Sequence, residues 1–312
     1  MTRVAVVDLG TNSTRLLVAD VEDGTVDELE RHLEITRLGE GVDARRQLLP
    51  EAIARVRNVL TDYRRTIESL GAERTLAFAT SAVRDAENGE AFLGEIEWSY
   101  GFETKLLTGH EEALLTFRGV SAGRAIEEET LVLDVGGGST ELIVGGPEGV
   151  AFHESYDLGC VRLTERFPGD PDGCGDFVRE AFRERVPPDV RPSKAIGVAG
   201  TVTQLATLDL GLEREEPDRV HGHRLSTDAV AGLLARLSRM SVSEIRQLRG
   251  MHPERAPVIV AGTVVVLETL LHFDLEELEV SEHDIMHGAA LAAAALPAAV
   301  EGDAPPGAYT CC

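Results

Sequence analysis

The sequence predicts an α/β protein built of two related domains, and three observations carry that expectation. A segment near the amino terminus recurs at a constant offset of 126 residues. Strand-like runs alternate with amphipathic helices between and after the two copies. The length of 312 residues fits two domains at ~150 residues each.

The repeat pairs VVDLGTNSTRLLV (6–18) with VLDVGGGSTELIV (132–144). An apolar run, an aspartate, a turn of Gly, Ser, Thr and Asn, and a second apolar run read as a β-hairpin. After the first hairpin, Ile53, Val56, Leu60, Tyr63, Ile67 and Leu70 fall at helical spacing, opened by Pro50 and closed by Gly71. A strand follows at Thr75–Ala79, a helix at Glu90–Trp98, a strand at Glu103–Leu107 and a helix from His110. Beyond the second hairpin, Phe152–Leu158 reads as a strand and Phe177–Val186 as a helix. Lys194–Val198 reads as a strand opening into a turn and helix at Gly200–Leu208. Thr227–Met240, Ser243–Leu248 and Ala256–Phe273 read as helices, Glu279–Ser281 as a short strand and Asp284–Leu296 as the closing helix. Pro187-Pro188 and Glu213–Asp218 read as surface loops. Domain I is expected over 1–122, completed by a carboxy-terminal helix at 283–300, and domain II over 123–282.

Composition narrows the function. Acidic residues number 54 against 30 basic ones, a net charge of −24. That field argues against general binding to nucleic acid or anionic membranes. Only Lys105 and Lys194 are lysines, so a phosphate site must draw on arginine, backbone N–H groups or a metal. GxxxxGK[ST] is absent, which excludes a P-loop NTPase. Cys160, Cys174, Cys311 and Cys312 match neither zinc-ligand spacing nor a disulfide framework, and the Cys-Cys tail reads as an end without a role. A signal peptide and a membrane-spanning run are both missing, so a cytoplasmic location is expected.

Each hairpin turn follows an aspartate and is rich in glycine and hydroxyls. Glycine lets backbone N–H groups approach an anion closely. Asn12, Ser13 and Thr14 in the first turn, and Gly136, Gly137, Gly138, Ser139 and Thr140 in the second, are therefore candidate phosphate ligands. Asp134 and Glu141 flank the second turn on its two arms, a donor set suited to Mg²⁺, with Mn²⁺ as a substitute. Asp8 holds the equivalent place in the first copy, where Arg15 replaces the glutamate, so the metal is expected with the second. Among the histidines, His221 and His223 have no third ligand at zinc-like spacing and read, with His110, His283 and His287, as exposed or structural.

DLGTNSTRLL, DVGGGSTELIV and VAGTVTQLA, with ATSAVRDAEN and TGHEEALLTF between the hairpins, resemble the exopolyphosphatase/guanosine pentaphosphate phosphohydrolase (Ppx/GppA) family. The resemblance runs from residue 3 to about residue 290, through DLGCVRLTERF and VSEHDIMHG, and is to the short form without a carboxy-terminal HD-type domain. It implies two duplicated actin-like ATPase (ribonuclease H-like) domains with the active site in the cleft between them. Site by site, it implies Glu112 of TGHEEA as catalytic base with Glu111 its neighbour, and Arg84 of ATSAVRDAEN as a phosphate ligand. It further implies Asp134 and Glu141 as metal carboxylates, and Gly200 and Thr201 of VAGT (198–201) as a second substrate loop. A second VAGT, at 260–263, reads as helix core, and Cys160 reads as packing.

The implied reaction is removal of the terminal phosphate of inorganic polyphosphate. Guanosine pentaphosphate is the alternative substrate. A polyphosphate-dependent phosphotransferase and an alarmone-binding sensor are the alternatives of other classes. Expected partners are polyphosphate and (p)ppGpp, with a homodimer as the assembly. A polyanion bound by so acidic a chain calls for a local basic track, with Arg84, Arg45 and Arg46 as its candidate members.

Overall fold

The structure, a computed structural model, describes residues 1–296 and contains two mixed sheets, each flanked by helices. It divides into two compact units: Met1–Arg124 with the stretch from Ile285, and Ala125–Asp284. The Cys311-Cys312 tail and the end of the expected 283–300 helix lie outside the described residues.

In the first unit the hairpin β1 (Thr2–Leu9) and β2 (Thr14–Glu22) is extended by β3 (Thr25–Glu34). Then come α1 (Val42–Arg45), α2 (Pro50–Leu70), β4 (Arg74–Ala79), α3 (Ser81–Asp85), α4 (Gly89–Tyr100), β5 (Glu103–Leu106) and α5 (Gly109–Val120). The sheet order is β3-β2-β1-β4-β5, antiparallel in the meander and parallel beyond it. β1 is buried on both faces, which is why it reads as a continuous apolar run. Ala5, Val7 and Leu9 pack with Val56, Leu60 and Phe92 from α2 and α4. Val4 and Val6 pack on the opposite face with Ile285, Met286 and Ala289. Pro50 starts α2 and Gly71 ends it at φ 69°, as its spacing predicts.

The second unit repeats the plan. β6 (Thr130–Val135), β7 (Thr140–Gly146) and β8 (Gly149–Tyr156) form the meander, followed by α6 (Cys160–Arg166), α7 (Pro171–Arg185) and β9 (Lys194–Val198). Next are α8 (Ala199–Asp209), α9 (Pro217–Val220), β10 (Arg224–Ser226), α10 (Thr227–Leu237), α11 (Val242–Ile245), α12 (Ile259–His272) and β11 (Glu277–Val280). The order β8-β7-β6-β9-β11 matches that of the first sheet, with β10 added at the edge. The chain then returns to the first unit as α13 (Ile285–Ala294), whose small residues allow close packing: a Cβ on Gly288 would meet Leu115 O at 1.9 Å. The expected duplicated α/β fold is what the chain adopts.

Helix α9 enters the expected 213–218 loop, α6 and β10 are additional elements, and α10 ends before the expected Met240; three further differences have plain physical reasons. β3 carries Asp27, Glu28, Glu30 and Arg31 without apolar alternation, since it pairs only with β2 and stands at the sheet edge. α7 begins six residues before the expected Phe177, where Asp170 caps it by accepting from Gly173 N and Pro171 takes the first helical position. α12 starts at Ile259, later than its apolar run, because Pro257 disfavours helical backbone at the expected start, Ala256. Among the described residues no helix is long and apolar enough to cross a membrane.

Candidate active-site residues

The two hairpin turns have the same closure. Gly10 N donates to Ser13 O at 3.0 Å, and Gly136 N donates to Ser139 O at 3.0 Å. A buttress behind each turn engages its carbonyl groups. Gly136 O accepts from Cys160 N (2.9 Å), Gly137 O from Val161 N (2.9 Å) and Gly138 O from Arg162 Nε (2.9 Å). In the first turn, Thr11 O accepts from Gly39 N and Asn12 O from Arg37 N, both at 2.9 Å. A trans peptide points its N–H opposite to its C=O. The N–H groups of Gly137, Gly138 and Ser139, and those of Asn12 and Ser13, therefore face away from the buttresses, forming nests suited to phosphate oxygens.

The buttresses are themselves a repeat: Leu38-Gly39 follows β3 as Leu158-Gly159 follows β8. A Cβ on Gly159 would lie 2.2 Å from Gly137 O, and one on Gly39 would lie 2.3 Å from Thr11 Cγ2. Only glycine permits either approach. Sequence reading missed this pair, although the matching Leu-Gly dipeptides were a visible signal.

Two candidate phosphate ligands are corrected. The Thr14 hydroxyl is buried and paired with Thr36 Oγ1 at 2.9 Å, and Thr14 O accepts from Tyr63 Oη. The Thr140 hydroxyl is buried and donates to Leu158 O at 3.0 Å. Each opens the second hairpin strand, and strand alternation turns its side chain into its own unit. Ser139 is 3% exposed and shares the closed turn.

Asp134 and Glu141 stand directly opposite one another across the β6–β7 ladder, and the equivalent position of β1–β2 pairs Asp8 with Arg15. In the first unit this is an ion pair, with Arg15 Nε 2.8 Å from Asp8 Oδ2. The Asp8 carboxylate thus already has a cation. In the second unit two buried carboxylates face each other, 7% and 1% exposed, and Glu141 Oε1 accepts from Ser155 Oγ at 2.7 Å. Like charges directly opposed are unfavourable, and a hard divalent cation offsets them. Among the described residues no group of three or more His, Cys, Asp or Glu could hold a metal. The donors present fit the Mg²⁺ pattern, in which one or two carboxylates are completed by water and substrate oxygens.

On the first unit, Thr108 caps α5 and forms a reciprocal capping box with Glu111. Glu111 Oε2 accepts from Thr108 N (3.0 Å) and Thr108 Oγ1 (2.9 Å), while Oε1 lies 2.9 Å from Lys105 Nζ. These bonds, the backbone one foremost, hold its pKa down at about 2. Glu111 is committed to the helix start. Glu112, one residue on, is 7% exposed and has Arg84 Nη1 3.4 Å from its Oε2. Arg84 Nη1 also donates to Leu107 O at 2.7 Å. α3, which carries Arg84, is tied to the first turn by the Thr11–Ser81 hydroxyl pair at 2.9 Å. The first unit therefore brings Arg84, Glu112 and the Asn12–Ser13 nest into one bonded network.

On the second unit, Gly200 lies in the first turn of α8, after Ala199 at φ 66°, a conformation uncommon outside glycine. Arg255 covers Gly200 so closely that a Cβ there would overlap Nη1 at 1.5 Å. This arginine lies 55 residues from Gly200 in sequence, and no motif around Gly200 points to it. Thr201 is 6% exposed and packs against Gly262 of the second VAGT, which is helix core as expected. Cys160 is buried, which pushes its thiol up to about 11, so it is no nucleophile. The histidines have structural partners: His223 Nε2 lies 2.8 Å from Asp209 Oδ2, and His221 Nδ1 accepts from Glu282 N at 3.2 Å.

The sequence matches the Ppx/GppA phosphatase family over residues 17–294. Exopolyphosphatase 2 of Mycobacterium tuberculosis (strain ATCC 25618 / H37Rv) is 39% identical, the alignment covering 94% of this chain and 99% of that protein. Among solved structures, an exopolyphosphatase-like protein aligns with a TM-score of 0.87 at 32% identity, covering 93% of this chain and 98% of that one. The Aquifex aeolicus member of the Ppx/GppA family aligns with a TM-score of 0.80 at 29% identity, covering 93% of this chain and 97% of that one.

Proposed function

The chain belongs to the Ppx/GppA phosphatase family, and on that premise we propose that it is an exopolyphosphatase, hydrolysing the terminal phosphoanhydride of inorganic polyphosphate and releasing orthophosphate. The observation that carries the reading is the division of labour between two adjacent glutamates. Glu111 is bound into the capping box, while Glu112 is buried beside the Arg84 guanidinium. A general base must reach a water in line with the phosphorus under attack. In this reading a phosphate draws the Arg84 fork toward its own oxygens, a charge-assisted and bidentate contact. The Glu112 carboxylate is then left to take the proton of the attacking water.

The backbone nests at Asn12–Ser13 and Gly137–Ser139 hold phosphate oxygens through N–H groups preorganised by their buttresses. Such donors need no reorganisation as charge shifts during transfer. Arg255, over Gly200, supplies a further cation in the second unit. Asp134 and Glu141 are the metal carboxylates of this reading, Mg²⁺ before Mn²⁺. When bound there, the ion supplies positive charge against the phosphoryl oxygens and the departing chain. Asp8, already neutralised by Arg15, is the weakest of the three proposed ligands.

Guanosine pentaphosphate offers the same terminal phosphoanhydride and is the second reading, favoured by membership of a family named for both Ppx and GppA. The deciding experiment measures orthophosphate release from polyphosphates of defined length and from guanosine pentaphosphate, with and without Mg²⁺. Higher kcat/KM on polyphosphate supports the proposal. Activity confined to the nucleotide replaces it with the second reading, and inactivity on both removes it.

A further inference from the structure

We propose that Arg45 and Arg46 form a remote phosphate subsite on the first unit, which contacts polyphosphate beyond its terminal residues. The subsite rests on the exopolyphosphatase reading and extends it from the chain end to the chain body.

The first observation is charge without a partner in an acidic protein. The chain carries 54 acidic residues against 30 basic ones, and most of the arginines of the first unit are spent on them. Arg3 is bound to Asp20, Arg15 to Asp8, Arg55 to Glu40, Arg57 to Glu95 and Arg64 to Glu68. Arg45 and Arg46 are adjacent, exposed, and among the described residues make no side-chain ion pair. The nearby carboxylate of Glu40 is engaged by Arg55 at 2.9 Å. Two neighbouring cations repel each other, whereas a polyanion offsets both.

The second observation is their position. Arg45 folds back over the start of its own helix: a Cβ on Gly41 would lie 3.2 Å from Arg45 Nη1. Gly41 is two residues from Gly39, whose N–H buttresses the first phosphate turn at Thr11 O. Arg46 O accepts from Glu87 N at 2.8 Å, three residues beyond Arg84. The pair is thus tied on one side to the segment that shapes the nest and on the other to the segment after the phosphate-binding arginine.

The third observation is backbone conformation. Arg46 adopts φ 55° and is held there by its N–H on Val42 O and its carbonyl under Glu87 N. A non-glycine residue takes this conformation at a cost, and the surroundings over-determine it. The ligand chemistry implied is an extended, multiply charged phosphate chain, since two flexible, exposed guanidinium groups read charge density rather than shape.

The test compares long polyphosphate with tripolyphosphate in the full-length enzyme. Arg45→Gln/Arg46→Gln should shrink the KM advantage of the long chain by about 2- to 30-fold, the range for two exposed charge contacts. Arg45→Lys/Arg46→Lys should retain most of that advantage. Arg236→Gln/Arg239→Gln, which removes two exposed charges at and just beyond the end of α10, should leave it in place. An equal effect from both Gln pairs, or no effect from the first, overturns the subsite. Calorimetric binding of long polyphosphate to Glu112→Gln, with and without the Arg45/Arg46 change, separates this claim from the activity. Loss of affinity there sustains the subsite even if the wild-type enzyme releases no orthophosphate. Unchanged affinity overturns it even if the enzyme is active.

Discussion

Arg84 Nη1 stands 3.4 Å from Glu112 Oε2, joining a short helix after β4 to the first turns of α5. Without phosphate the pair is self-satisfied; with phosphate the proposed reaction needs it parted. Replacing Glu112 with Gln keeps the shape and a hydrogen-bonding oxygen but removes the base. The expected loss is ~10²–10⁴ in kcat. KM should change little, and a steady-state assay with tripolyphosphate is sufficient to show the split.

Glu111→Gln should behave as a stability variant instead. Thr108→Ala, which removes the cap of α5, should cost ~0.5–2 kcal/mol in denaturant unfolding. The pH dependence follows from the direction of the Glu111 shift. Its folded pKa, about 2, lies below the ordinary 4.5. Its contribution is therefore complete above the ordinary value and lost as pH falls through about 2. Glu111 is part-exposed, so solvent screening reduces the gain below what the shift alone implies. A wild-type minus Glu111→Gln difference in Tm that persisted unchanged at pH 2 would remove the capping account.

The nests depend on glycine in the buttress. Gly159→Ala places a Cβ against the Gly137 carbonyl, which is backbone and moves only with the turn. Strain of ~1–3 kcal/mol is expected, together with a fall in kcat/KM. Gly94→Ala, inside α4 with nothing within 4 Å of the added atom, should instead stabilise by ~0.5–1 kcal/mol. Melting temperatures of the two variants, read beside their kinetics, check both signs.

Those buttresses show what sequence reading reaches and what it does not. The hairpins were legible because an aspartate, a Gly/Ser/Thr turn and two apolar runs recur in step. α2 was legible from its spacing, Pro50 and Gly71. The hydroxyls of Thr14 and Thr140 were misassigned because composition alone does not say which way the first residue of a strand points. Pairing with Thr36 and Leu158 decides that, and both partners are distant in sequence. Arg255 was missed for the same reason: its place over Gly200 is set by the path into α12, not by any motif around Gly200. β3 was missed because an edge strand need not be apolar.

Metal dependence follows from the opposed Asp134 and Glu141 carboxylates. EDTA should abolish orthophosphate release, and Mg²⁺ or Mn²⁺ should restore it. Asp134→Asn should raise the Mg²⁺ concentration for half-maximal activity, whereas Asp8→Asn should raise it less, since Arg15 already neutralises Asp8. Equal requirements in the two variants would place the metal elsewhere.

The central claim is that water, deprotonated by Glu112, attacks the terminal phosphorus of the chain. Hydrolysis of tripolyphosphate in ¹⁸O-enriched water tests it most directly, because the label marks the phosphorus attacked. The account predicts one solvent oxygen in each orthophosphate released and none in the pyrophosphate first formed, with the same partition at a far lower rate in Glu112→Gln. Label in the pyrophosphate instead, or orthophosphate release undiminished in Glu112→Gln, would contradict it.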